Sequence, residues 1–245
     1  RKNIMQGVGC MKFYKIINYG FYMLFMQCKA IKHWYILKTK GERAAIDYSG
    51  KVGEDWARYT IHKALNMNVT VIGKENIPDE PCCYIGNHTS ILDIPLLIDS
   101  AGKCMGFVAK KEMVKTPILG YWMKNYNCVP LDRENAREAI KAIREGANNI
   151  KNGYSMAIFP EGTRSKDGKL REFKKGSLKL ATMAKAPVVP VSINGAYRAY
   201  EIDRKFKPID ITVTFGEPIY TENLTREEEK ELMEKVRGIV LKNLH

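Results

Sequence analysis

Short apolar runs rich in Val, Ile, Tyr and Phe alternate along most of this chain with longer stretches whose apolar residues recur at helical spacing. The short runs predict strands over 68–72, 82–86, 105–109, 127–130, 155–159, 187–193 and 210–215. Between them the spacing predicts helices near 91–100, 116–124, 134–151, 175–185 and 225–243. The clearest is "ENAREAIKAIREGANNIKNG", which Gly153 ends at the position where a left-handed residue closes a helix. Alternation of this kind predicts an α/β fold, a mostly parallel sheet of roughly seven strands flanked by helices. Residues 200–209 follow neither pattern. Upstream, "VGEDWARYTIHKALNM" (52–67) has Val52, Trp56, Tyr59 and Ala64 at helical spacing and reads as a second helix after an N-terminal basic stretch.

A chain of 245 residues with 45% hydrophobic content holds one large domain, or a domain with an appendage. The charge adds something the periodicity does not. Of the net +13, residues 1–43 supply nine Lys or Arg against a single acid, Glu42. The same segment holds "FYKIINYGFYMLFMQCKAI", dense in aromatic residues, with Trp34 and Tyr35 just beyond. Its apolar run from Ile16 to Cys28 is shorter than the about 20 residues of a spanning helix, and Asn18 and Gln27 interrupt it. No small-residue cleavage site follows, which argues against a cleaved signal peptide; Met11 could serve as a start, with residues 1–10 a leader. Basic residues flanking aromatic sequence suit a helix lying in an anionic membrane interface. That would place the protein peripherally or monotopically on the cytoplasmic face of the cell membrane. A helix packed on the domain with solvated lysines is the alternative. No nucleic-acid-binding motif accompanies the charge, so nucleic acid is not an expected partner. We therefore divide the chain into an N-terminal helical, basic and aromatic membrane-interface segment, 1–66, and an α/β domain, 67–245. The six cysteines form no CxxC pair, and with the four histidines they show no metal-ligand spacing. Reduced thiols in a cytosolic environment and no metal are expected.

Candidate chemistry begins at "IGNHTSILDIP" (85–95). Residues five apart on one helix differ by about 140° and do not share a face. A contact between His88 and Asp93 therefore needs His88 in the loop after a strand and Asp93 in the first turn of the next helix. Three other readings stay open: Ser90-x-x-Asp93 as a capping box, Asp93 as an N-cap ahead of Pro95, and His88 as a loop histidine bonded to backbone. A second strand runs into a loop at "MAIFPEGTRS" (156–165). Here Gly162 would let backbone N–H groups approach a phosphate monoester, Thr163 would donate to it, and Arg164 would bind it bidentately. No Walker lysine is present, and an ordinary surface turn with a solvated arginine is the alternative. "CVPLDRENAREA" puts Asp132 and Arg133 at a third strand end, either as a helix-start ion pair or to bring a second guanidinium. "VAKKEM" puts Lys110 and Lys111 at a fourth. A parallel sheet gathers its strand ends along one edge, so an imidazole and several cations can converge there on an anion.

These residues resemble a known family. "NHTSILD" matches the HX4D signature of the glycerolipid acyltransferases, and "FPEGTRS" matches their second block almost letter for letter. "VPLDR" and "VVPVSI" (188–193) fall in order for the remaining blocks. The resemblance is nearest to bacterial 1-acyl-sn-glycerol-3-phosphate acyltransferases and covers roughly residues 67 to 220. It implies that His88 takes the proton from the 2-hydroxyl of lysophosphatidic acid as that oxygen attacks an acyl thioester, of acyl-CoA or of acyl-carrier protein. A positioned base of this kind contributes about 10²–10⁴-fold. It implies that Asp93 orients the imidazole. Arg133, Gly162, Thr163 and Arg164 would hold the phosphate, with Lys111 as a helper, and no catalytic Ser or Cys, metal or cofactor is needed. Glu161 is implied in the glycerophosphate site, with a hydroxyl or a neighbouring arginine as its expected partner. A loop N–H near His88 is the expected donor to the oxyanion. Other acceptors, glycerol 3-phosphate or another lysophospholipid, fit the same site. A lipid hydrolase would want a G-x-S-x-G elbow, which is absent, and a non-catalytic basic membrane-binding module would leave the His–Asp pair and the phosphate loop without a purpose.

Overall fold

A computed structural model describes residues 2–103, 105–132 and 135–244. Its seven strands are β1 (Asn68–Ile72), β2 (Cys83–Gly86), β3 (Met105–Lys110), β4 (Val129–Leu131), β5 (Ser155–Ile158), β6 (Val188–Asn194) and β7 (Asp210–Phe215). They form one sheet in the order β1-β7-β6-β2-β5-β3-β4, parallel at every junction except β6–β7. The central strands β2 and β5 are buried at every residue, which is why "CYIG" and "SMAI" read as unbroken runs rather than alternating ones. Alternate residues still go to opposite faces. Tyr84 packs with Leu96, Phe107 and Phe215 on one side of the sheet, while Cys83 and Ile85 pack with Met156, Leu180 and Val236 on the other.

The crossovers supply helices on both faces: α2 (Asp93–Ala101), α3 (Leu119–Lys124), α4 (Ala136–Lys151), α5 (Lys179–Ala184) and α6 (Arg226–Lys242). Local capping sets the starts of the two longest. The Asn135 side chain accepts from the N–H groups of Arg137 and Glu138 ahead of α4. Thr225 and Glu228 make a reciprocal capping box at α6. The segment that follows neither pattern, 200–209, comes after a 3₁₀ turn, Ala196–Ala199, and is a series of turns and irregular residues that returns the chain to β7.

Ahead of the sheet runs α1 (Lys2–Arg58), broken at Gly41, whose φ of 84° and ψ of 178° lie in a region open almost only to glycine. A π-helical turn, Tyr59–Ala64, extends it. The break makes a hairpin of two helical arms. Lys29 pairs with Asp55 at 2.9 Å, Tyr22 stacks on Tyr59 with ring centroids 3.7 Å apart, and Trp56 donates to the Tyr19 hydroxyl at 3.0 Å. The expected second helix over 52–67 therefore starts earlier, directly after Gly41. Its added turns are held by burying small or short residues, Ala45, Ser49 and Val52, a pattern with little amphipathic signal. Among the described residues no helix is long and apolar enough to cross a membrane.

Candidate active site

Strands β2 and β5 lie side by side, with Ile85 opposite Ile158. The loops leaving their carboxyl ends thus begin together, and His88 meets Glu161 across 73 residues of sequence. Asn87 fixes the first loop to β6, donating to the Ile193 carbonyl at 2.9 Å and accepting from the Ile193 N–H at 2.8 Å. Asp93 is the first residue of α2 and His88 lies in the loop, the one arrangement in which a five-residue spacing closes. The Asp93 Oδ2 and His88 Nδ1 atoms are 2.8 Å apart. Oδ2 also accepts from the N–H groups of Thr89 (2.6 Å) and Ser90 (2.8 Å). A carboxylate oxygen gathering N–H donors assigns the imidazole proton to Nδ1 and leaves Nε2 with a lone pair. The carboxyl of Asp93 is fully buried while the His88 ring keeps 17% of its surface exposed, so the imidazole can reach a ligand and the carboxylate cannot. The ring lies flat on Phe159, centroids 4.4 Å apart and planes within 10°.

Every backbone N–H from His88 to Asp93 is taken. Glu161 Oε1 accepts from His88 at 2.7 Å, Asp93 from Thr89 and Ser90, and Glu201 Oε1 from Ile91 at 3.1 Å. The Ser90 hydroxyl accepts from Leu92 at 3.2 Å and the Ser90 carbonyl from Asp93 at 3.3 Å. The expected oxyanion donor, a loop N–H near His88, is therefore corrected: those groups are engaged within the protein.

The second loop differs. Gly162 donates to the Phe159 carbonyl at 3.1 Å and adopts φ +71°; a Cβ there would stand 3.0 Å from the Lys174 ammonium. Ser165 ties the two loops by donating its N–H to the His88 carbonyl at 2.7 Å. Among the described residues the N–H groups of Glu161, Thr163 and Arg164 have no partner. Thr163 is exposed, and Arg164, 30% exposed, donates from Nη1 to Glu201 at 2.7 Å.

The structure thus gathers His88, Asp93, Glu161, Gly162, Thr163 and Arg164 at one sheet edge. The partner expected for Glu161 is corrected. Instead of a hydroxyl or an arginine, its oxygens take the N–H groups of His88 and, at 3.2 Å, Arg171. A carboxylate buried this deeply needs fixed donors, and burial raises its pKa above the ordinary range despite those bonds. Lys111 lies at the end of β3, next to β5, with its ammonium 2.6 Å from Asp132. Arg133 lies outside the described residues. Three participants escape sequence reasoning. Phe159 shows in the sequence only as the aromatic end of a strand, Lys174 as one of many surface lysines, and Glu201 not at all.

Beside the loop of His88 an apolar cavity of about 370 Å³ opens between the α1 hairpin, α2 and α3, lined by Met26, Trp56, Ile91, Ile94, Phe107 and Met123 among others. Among the described residues no cluster of His, Cys, Asp or Glu is arranged to hold a metal ion.

Residues 68–194, the stretch that holds the His88–Asp93 pair and the glycine loop after β5, match the model of the Acyltransferase family. The chain belongs to that family. It is 35% identical over 169 residues to the chloroplastic 1-acyl-sn-glycerol-3-phosphate acyltransferase BAT2 of Brassica napus, a stretch covering 67% of this chain and 48% of that protein. It is 36% identical over 186 residues to the 1-acyl-sn-glycerol-3-phosphate acyltransferase of Saccharomyces cerevisiae, covering 74% and 61%. The chain thus spans about half the length of the plant relative. The crystal structure of the 1-acyl-sn-glycerophosphate (LPA) acyltransferase PlsC from Thermotoga maritima is similar with a TM-score of 0.72 and 32% identity, covering 95% of this chain and 91% of that one.

Proposed function

We propose that this protein transfers a fatty acyl group from an acyl thioester to the 2-hydroxyl of 1-acyl-sn-glycerol 3-phosphate, giving phosphatidic acid. The observation that carries the reading is the His88–Asp93 pair, oriented with Nε2 free to accept a proton and set beside a loop with unpaired N–H groups and an arginine. Family membership and the activity for which its relatives are named support it. An alcohol is almost wholly un-ionised near neutral pH, so His88 Nε2 takes its proton as the oxygen attacks the thioester carbonyl. The tetrahedral oxyanion then collapses, the carbon–sulfur bond breaks, and the imidazolium returns its proton to the departing thiolate. Gly162, Thr163 and Arg164 hold the acceptor phosphate, with Lys111 and, by resemblance alone, Arg133. The unpaired N–H groups of Thr163 and Arg164 are the candidate oxyanion donors. An acyl chain fits the apolar cavity, which reaches Ile91 in the base's own loop.

Acceptor and product are lipids, and the first arm of α1 has the surface to meet them. Met26 and His33 face inward, His33 2.8 Å from the Tyr121 hydroxyl. Phe21, Leu24, Phe25, Ile31, Trp34 and Tyr35 are exposed among the lysines, while the side chains of Lys12 and Phe13 lie outside the described residues. In this reading residues 1–66 dock the acyltransferase domain, 67–245, on anionic lipid at the cytoplasmic face of the cell membrane. Each basic residue near such a surface adds about 1 kcal/mol, screened by salt, whereas the apolar contribution is not.

Thiol release from acyl-CoA and from acyl-carrier protein, each with lysophosphatidic acid, glycerol 3-phosphate or a neutral lysolipid, tests the reaction. Release dependent on lysophosphatidic acid is expected; release without any acceptor would instead indicate a hydrolase. For the docking, replacing Phe21, Phe25 and Trp34 by Ser is expected to release the protein from anionic vesicles without lowering its melting temperature. Unchanged sedimentation with those vesicles would place the anchor elsewhere.

A further inference from the structure

One carboxylate at the site belongs to none of the motif blocks. Glu201 follows β6 in the irregular segment, beyond "VVPVSI", and its side chain is fully buried. Its Oε1 atom accepts from the Ile91 N–H in the loop of His88 (3.1 Å) and from Arg164 Nη1 in the loop assigned to the phosphate (2.7 Å). Arg204 Nη1 stands 3.6 Å from Oε2, an oxygen with no hydrogen-bond partner of its own among the described residues. A carboxylate withdrawn from water is strongly disfavoured unless cations and N–H groups compensate it, and here two guanidinium groups do.

We infer that Glu201 is a positioning residue, holding Arg164 in the orientation that receives the acceptor phosphate and locking that orientation to the loop of the base. The inference rests on the reading of Arg164 as a phosphate ligand. An unrestrained arginine must give up rotamer freedom when it binds; one already held through Nη1 gives up less, and the other guanidinium donors remain for phosphate oxygens. Pairing alone would cancel the charge that attracts a dianion. With Arg204 present the trio keeps a net charge of about +1, so the phosphate still meets a cation. The contact with Ile91 adds the second function, because any movement of the Arg164 loop is felt at Ile91, directly after Ser90 and three residues from His88, in the loop whose histidine must face the acceptor hydroxyl.

The test is steady-state kinetics of the full chain with lysophosphatidic acid and an acyl thioester. Glu201→Gln keeps the size and an acceptor oxygen for Ile91 but removes the charge that orients Arg164. The Michaelis constant for the acceptor is expected to rise about ten-fold while that for the thioester stays within about two-fold. Glu201→Asp, which restores the charge one methylene short, is expected to recover part of the loss. In an Arg164→Ala background, Glu201→Gln is expected to change the acceptor constant by less than about two-fold, since nothing remains to be positioned. An unchanged acceptor constant overturns the inference, and so does an equal rise in the Arg164→Ala background or an equal rise for the thioester. If Glu201→Gln does not fold, Glu201→Asp carries the same comparison in both backgrounds. Arg164→Ala without effect on the acceptor constant defeats the phosphate assignment itself, while an effect there with none from Glu201→Gln defeats only the positioning role.

Discussion

Between His88 and Asp93 the protein takes up every backbone N–H, whereas those of Glu161, Thr163 and Arg164 in the neighbouring loop have no partner among the described residues. The first loop is bound from three directions by buried carboxylates, Asp93, Glu161 and Glu201, each from a different part of the chain. The second has a glycine at φ +71°, an exposed threonine and a partly exposed arginine. A general base must be held within a fraction of an ångström of its proton, and a loop with no spare donors has little freedom to drift. An anion cradle must keep its donors unspent until the ligand arrives. In the proposed reading the contrast separates fixing a base from receiving an anion, and it can be attacked from either side.

The largest effect should come from the fixed loop. His88→Ala removes the proposed base and is expected to cut turnover by about 10²–10⁴-fold or more while the protein stays folded, because the ring contributes one stack on Phe159 and one bond to Asp93, whose Oδ2 keeps the N–H groups of Thr89 and Ser90. Substantial turnover in a clean preparation would end the assignment. Asp93→Asn is expected to cost turnover and stability together, since Oδ2 serves His88, Thr89 and Ser90 at once. Loss of stability alone, with turnover kept, would mean that the carboxylate is only a turn acceptor.

On the other loop the effect should be smaller and of a different kind. Arg164→Ala is expected to raise the Michaelis constant for the phosphate acceptor by about ten- to a hundred-fold, the range of a charge-assisted pair, with turnover at saturation less affected. Arg164→Lys should recover only part, because an ammonium cannot reproduce the planar fork. Equal losses for lysophosphatidic acid and a phosphate-free analogue would show that the arginine is merely a strut between loops, and the contrast would blur.

How much of this is legible in the sequence follows the same division. Strands buried on both faces announce themselves as unbroken apolar runs, so β2 and β5 and the loops after them can be placed, and with them His88, Asp93 and Arg164. The five-residue spacing even dictates where the helix must begin. What holds the first loop is illegible, because the bonds of Glu161 and Glu201 to its N–H groups span 73 and 110 residues. Glu201 also stands in a segment with no periodic pattern at all. The break at Gly41 is hidden for another reason: a lone glycine in a helical stretch is common, and the arm beyond it is held by tertiary packing against both the first arm and the sheet domain.

The smallest effect expected is one of pH, and it tests whether the fixed loop is held by a carboxylate under strain. Burial is the largest influence on Glu161 and raises its pKa, outweighing the two N–H bonds and the nearby His88. A carboxyl whose pKa is higher folded than unfolded favours the protonated native state, so stability is greatest below the unfolded value, near 4.5, and declines as pH rises through the folded one. Glu161→Gln cannot titrate. Its amide can accept from only one of the two N–H groups, His88 or Arg171, and sets its own NH₂ against the other, so the variant should be less stable at low pH. As pH rises above about 4.5 the wild type loses its advantage and the variant does not, so the gap between them should narrow. Urea midpoints for both proteins from pH 4 to pH 7 measure this directly. A gap that widens instead would mean that the N–H groups of the first loop stabilise the ionised carboxylate more than burial penalises it, making Glu161 a settled anion rather than a strained one.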